Sequence, residues 1–155
     1  MLNEKEILKS MILNYFEENA DILYMDKSKK ESFKAYISKN KQGEFIIFDK
    51  NSSIEIIFDE ANMALFKEQK PTSYNINSIL GSILYVKSFN IKISSNPDIN
   101  KGTFNFRVKL LVEEFDNFPA NSKINLEPPQ NINYDNEVQF KLAEYFHKIN
   151  KVCNN

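Results

Sequence analysis

The residues best able to do chemistry in this chain are its acidic pairs, Glu17-Glu18, Asp59-Glu60 and Glu113-Glu114. Two carboxylates that share acid–base work must converge on one reacting group. Neighbours on a strand point to opposite faces, so Glu113 and Glu114 cannot converge without a bulge. Asp59 and Glu60 suit the start of a helix, where the dipole stabilises negative charge. Glu17 and Glu18 fall in the last turn of a helix, where the same dipole disfavours them, so they read as a solvated face or an interaction patch. His147 is the only histidine and Cys153 the only cysteine, which leaves no Ser-His-Asp triad, Cys-His pair or His/Cys metal cluster. Gly43, Gly81 and Gly102 stand apart and suit turns, so no glycine-rich phosphate loop is present. These residues assemble no catalytic site and ask for no cofactor or metal.

At 155 residues the chain is long enough for one domain with a sizeable core. Its 42% apolar and 26% charged residues are those of an ordinary soluble protein. A net charge of −1 disfavours non-specific phosphate binding. A lone cysteine suits a reducing compartment, and no apolar run has the length of a membrane span or a signal peptide. A soluble intracellular protein is expected. The chain closes on Asn154-Asn155 with no stop signal, so a piece of a longer subunit is also expected to read this way.

Asn3 followed by Glu6 resembles a capping box. Ile7, Leu8, Met11, Ile12, Tyr15 and Phe16 then recur at helical spacing, predicting a helix over about 4–19. A connector follows over 20–30. Three strands are predicted: Phe33 to Ser38, Glu44 to Phe48, and one in which Ile54, Ile56 and Phe58 alternate with Glu55, Ile57 and Asp59. Asn40 to Gly43 and Asp49 to Ser52 supply the turns. Ala61, Ala64, Leu65 and Glu68 predict a helix that ends before Pro71. A fourth strand runs from Ser82 to about Ser94. The fifth is one long strand over Gly102 to Pro119, in which Phe104, Phe106, Val108, Leu110 and Val112 form one face and Glu113 to Asn121 are its exit. Pro128-Pro129 breaks the chain before a last helix over about 135–151, with Val138, Leu142, Tyr145, Phe146 and Ile149 on one face. The order is helix-β-β-β-helix-β-β-helix. It predicts a mainly β protein with flanking helices: a five-stranded OB-fold barrel over 31–121, preceded by the helix and connector over 1–30 and followed by a linker and helix over 122–155.

OB-folds often stack bases on aromatic side chains beside Lys and Arg. Tyr36, Phe45, Phe48, Tyr85 and Phe89 offer a platform, with Lys34, Lys39, Lys41, Lys87, Arg107 and Lys109 for charge. Most of these aromatics alternate with core positions, which favours packing over stacking.

The run Ile54 to Phe58, the helix after it, the Gly81 to Val86 strand start, and Phe104 to Pro119 with its terminal Phe115-x-x-Phe118-Pro119 resemble the telomerase-associated OB-fold family. That family holds the shelterin subunit that recruits telomerase and the yeast "ever shorter telomeres" accessory subunit. The Asn-, Lys- and Ile-rich composition is similar to that of a hub accessory subunit of a ciliate telomerase holoenzyme, or its OB domain. The resemblance implies a non-catalytic, nuclear, telomeric protein that promotes repeat-addition processivity. Its implied partners are the N-terminal region of the telomerase reverse transcriptase and other accessory proteins, with nucleic acid met only indirectly or weakly. Carried over by position, docking falls on Lys67 and Glu68 after the third strand, Asn117, Phe118 and Asn121 at the end of the fifth, and Glu17 and Glu18 before the barrel. The sequence departs from the family's acidic patch, since Glu68 is the one acidic residue at the helix positions. Ser82 stands where a basic residue is usual.

Another reading from the same fold is a subunit of a replication-protein-A-like or telomere-capping single-strand-binding trimer. There the last helix would pack against partner helices, and its apolar stripe would be exposed in the isolated chain. A direct single-strand binder is the third reading, marked by salt-sensitive binding of the domain alone.

Overall fold

The computed structural model describes residues 7–18, 32–68, 79–95, 106–118 and 127–153. Helix α1 spans Ile7–Glu18, followed by strands β1 (Phe33–Lys39), β2 (Phe45–Phe48) and β3 (Ser53–Phe58). Helix α2 (Glu60–Glu68) precedes β4 (Ile83–Ser95) and β5 (Phe106–Phe118), and a 3-10 turn (Ile132–Tyr134) leads into α3 (Asn136–Cys153). The strands close into a barrel in the order β1-β2-β3-β5-β4, antiparallel except for β3 against β5. This is the predicted OB-fold, and the element order matches throughout.

Local chemistry sets the turns. The Asn40 carboxamide oxygen accepts from the amides of Gln42 (3.0 Å) and Glu44 (2.9 Å). Gly43 takes the positive φ of 82° that the turn requires. Asp49 Oδ1 accepts from the amides of Asn51 and Ser52, both at 2.9 Å, holding the β2–β3 turn. Its other oxygen, Oδ2, accepts from the Leu8 amide at 2.9 Å, so one turn residue also satisfies the first turn of α1. Asp59 accepts from the Ala61 amide at 3.0 Å and starts α2, as its sequence position predicts.

Cross-strand partners share a face, and Ile37, Ile47 and Ile54 meet inside the barrel. Leu84, Val86, Phe89, Ile91, Val108, Leu110 and Val112 complete the interior. The single core extends outside the barrel to Leu8, Ile12 and Tyr15 of α1 and Val138 and Leu142 of α3. Each such side chain contributes about 1.5–3 kcal/mol through burial. Phe16 of α1 lies 6.3 Å from Tyr145 of α3, ring to ring, and Phe106 stacks on Phe146 at 4.8 Å. Val138, Leu142, Tyr145 and Phe146 of the face predicted for the last helix are therefore spent on this chain's own barrel and first helix.

The fifth strand reaches Phe118, next to the Pro119 at which the sequence ends it. Residues 113–118, read as its exit, stay paired to its end. Their ladder to the start of β4 holds them there, with Phe115 opposite Val86 and Phe118 opposite Ile83. Register shifts between Val86 and Phe89 keep Val112 and Phe115 both turned toward buried partners despite the glutamates between them. Residues 119–121 of the expected exit lie outside the described residues.

Candidate interaction surface

Two outer faces of the barrel have opposite characters. On β2 and β3 the outward row Ser38, Ile46 and Glu55 lies beside the row Tyr36, Phe48 and Ser53. Ile46, Phe48, Ser53 and Glu55 are all buried although they point away from the barrel axis. Around Ser53 and Glu55 the cover comes from this chain. Ser53 Oγ donates to the Pro129 carbonyl at 2.8 Å and its amide donates to the Gln130 carbonyl at 3.1 Å. Glu55, 2% exposed, receives the Arg107 guanidinium on Oε1, the Asn131 amide at 3.3 Å, and Lys109 Nζ on Oε2 at 3.2 Å. Lys109 also pairs with Glu44 at 3.2 Å. OB-folds commonly hold oligonucleotides on the face of strands 2 and 3. Here that face carries a buried carboxylate, and Arg107 and Lys109, two of the candidate phosphate ligands, are turned onto it.

The outer face of β1, β4 and the far half of β5 is open. Tyr36, Ile83 and Phe118 form one row, and Lys34, Tyr85 and Asp116 the next. The rings of Tyr85 and Phe118 are 6.0 Å apart, and Lys34 Nζ lies 5.7 Å and 5.4 Å from their centres. Lys87 pairs with Asp116 at 2.7 Å, and that carboxylate raises the lysine above its ordinary pKa. Phe118 is 46% exposed. Of the aromatic platform read from sequence, Phe48 and Phe89 are buried, while Tyr36, Phe45 and Tyr85 are half-buried. Phe45 packs against Phe58 at 5.4 Å, and Phe58 against Phe115 at 5.0 Å.

The predicted docking residues fall on three elements. Glu17 is exposed near the end of α1, of which Glu18 is the last residue. Lys67 and Glu68 close α2, with Glu68 exposed. Asn117 is half-buried, and its amide donates to Ser82 Oγ and to the Ile83 carbonyl, the latter at 3.1 Å. Ser82 in turn donates to the Ile79 carbonyl. Asn117 thus locks the end of β5 to the start of β4, and Phe118 beside it faces solvent. Asn121 lies outside the described residues. His147 is exposed on α3, and no group of three metal-ligating side chains occurs among the described residues.

Sequence reasoning missed the cluster at Glu55. A single acidic residue in an alternating apolar strand reads as an outward, solvated side chain. The signal was in another segment, where the amide-rich run Gln130-Asn131-Ile132-Asn133 follows the proline break.

The closed five-stranded barrel with a helix between its third and fourth strands defines an OB-fold protein. The sequence matches no family model and no curated protein. Among solved structures, the chain is similar to the Est3 telomerase subunit of the yeast Hansenula polymorpha, with a TM-score of 0.63 and 13% identity. The likeness covers 93% of this chain and 87% of that one, so the flanking helices share it as well as the barrel.

Proposed function

We propose that this protein is a non-catalytic accessory subunit of telomerase that acts by protein–protein contact. The observation that carries the reading is the match to a telomerase subunit across 93% of the chain, terminal helices included. Its implied partner is the N-terminal region of the telomerase reverse transcriptase, together with other accessory proteins, in the nucleus at telomeres. Docking uses Glu17 and Glu18, Lys67 and Glu68, and Asn117, Phe118 and Asn121. By holding the assembly together it raises repeat-addition processivity. The reading covers both the ciliate hub subunit suggested by composition and the yeast subunit whose fold is shared. Support also comes from the barrel's two faces, one covered around Ser53 and Glu55 by its own chain and the other open with Phe118 at its edge.

The test is recovery of the tagged protein from its own cells, followed by primer extension with telomeric repeats. Recovered activity whose processivity falls on depletion is expected. Recovery of single-strand-binding subunits without telomerase would move the assignment to the trimer reading. Burial of Val138 and Leu142 against the chain's own core weighs against that reading, although Phe140 on the same helix is 62% exposed. For the site, Glu68→Lys with Asn121→Lys is expected to weaken docking at least tenfold and leave the melting temperature within a few degrees. Undiminished telomerase binding by this folded variant would sink the site assignment.

A further inference from the structure

Strands β3 and β5 pair only over Ile56–Phe58 and Leu110–Val112. Before that point β5 still runs beside β4 from Phe106, but β3 has diverged from it. Backbone groups alternate in direction along a strand. The Val112 carbonyl accepts from the Asp59 amide, so Val112, Leu110, Val108 and Phe106 direct their polar groups toward β3, and Arg107 and Lys109 toward β4. Phe106 and Val108 therefore form an edge inside a closed barrel.

Side-chain amides fill that edge. Asn133, fully buried, accepts from the Val108 amide at 2.7 Å and donates to the Val108 carbonyl at 3.2 Å. Gln139 donates to the Phe106 carbonyl at 2.8 Å and accepts from its amide at 3.4 Å. Each carboxamide presents one donor and one acceptor, as a neighbouring strand's peptide group would. On the β3 side, Ser53 bonds residues 129 and 130 and forms a parallel bridge with Asn131. The segment is fixed at its far end by Asp135. Asp135 Oδ1 caps α3 through the amides of Glu137 and Val138, and Oδ2 holds Lys9 Nζ of α1 at 2.9 Å. Lys9 also reaches Glu137 at 3.2 Å. Next to it, the Leu8 amide is held by Asp49.

We propose that residues 129–139 are a latch that closes the barrel between β3 and β5, and that α1 sets the latch through Lys9. The barrel's tightness is then controlled from outside it. Whatever draws α1 away from α3 frees the Lys9 tie and loosens the carboxamides from the β5 edge. The device does not depend on the functional reading above, since it rests on contacts within this chain.

Residue-resolved hydrogen exchange on the full chain tests it, comparing the unaltered protein with K9E and Q139A. K9E places a carboxylate against Asp135 and Glu137. Exchange at the Ser53, Phe106 and Val108 amides is expected to rise on the order of tenfold, with Arg107 and Lys109 unchanged, because only the latch side opens. Q139A is expected to accelerate Phe106 more than Val108. Should K9E fail to fold, K9M removes the charge while keeping the apolar stem. Unchanged exchange at Phe106 and Val108 in the Lys9 variant overturns the proposal. So does an equal rise at all four β5 amides, which would mean opening of the whole barrel.

Discussion

Removing the Arg107 guanidinium would leave the Glu55 carboxylate buried with Lys109 as its remaining cationic partner. Breaking a fully buried pair costs about 3–5 kcal/mol, mostly from the stranded charge. Arg107 is about a third exposed and Lys109 stays, so Arg107→Ala is expected to destabilise by about 2 kcal/mol. Replacing both partners with apolar residues, Glu55→Leu with Arg107→Leu, removes the charge along with its partner. Chemical denaturation should find this double variant more stable than Arg107→Ala. A double variant that is less stable would mean that Glu55 has a net stabilising role, through Asn131 and Lys109, that a packed leucine cannot replace. Neither partner was legible as buried in the sequence. Glu55 sits among isoleucines at an outward position, and only the later arrival of Asn131 and the β5 cations withdraws it from water.

Helix and strand identities were legible because periodicity reports directly on which face is buried. The stripe Leu8, Ile12 and Tyr15 and the alternation Val108, Leu110 and Val112 are both buried as their spacing predicts. The reach of β5 to Pro119 was legible as one long run, but how its last residues are held was not, because Glu113 and Glu114 interrupt the apolar alternation. Pairing with the start of β4 decides it, and that information lies far away in sequence. The same holds for residues 129–134, which read as a linker because carboxamides carry no periodic signal. The ion pair at the end of this segment gives a prediction at the element scale. Burial alone would raise the Asp135 carboxyl, but Lys9 and the amides of Val138 and Glu137 outweigh it and hold it below its ordinary value. A carboxyl depressed in the folded state stabilises above its unfolded pKa, near ~3.9, and loses that contribution as pH falls through the folded value. Packing of α1 on α3 should therefore weaken below about pH 4. Acid titration of Asp135→Asn should lack this contribution. An identical acid profile for the two proteins would show that Asp135 contributes no such linkage.

The whole molecule distributes its surfaces unevenly, and this separates binding of protein from binding of nucleic acid. Stacking of single strands needs exposed rings along a positive groove. On β2 and β3 the outward residues Ile46, Phe48, Ser53 and Glu55 are buried, Ile57 is exposed, and Arg107 and Lys109 are turned onto Glu55. On β1, β4 and β5 the rings of Tyr85 and Phe118 are accessible, but Lys34 lies over them and Asp116 beside Lys87 cancels its charge. With a net charge of −1, the chain has no general attraction for phosphate. The isolated protein is therefore expected to bind single-stranded telomeric DNA no more tightly than non-specific contacts allow, with Kd above roughly 1 μM at physiological salt. Fluorescence anisotropy with a labelled oligonucleotide decides this. Phe118→Ala supplies the contrast: it should leave that weak binding unchanged and weaken telomerase recovery if the open face is a protein contact. Submicromolar, salt-sensitive binding lost in Phe118→Ala would instead assign the open face to nucleic acid, and the protein-contact reading of β5 would fail.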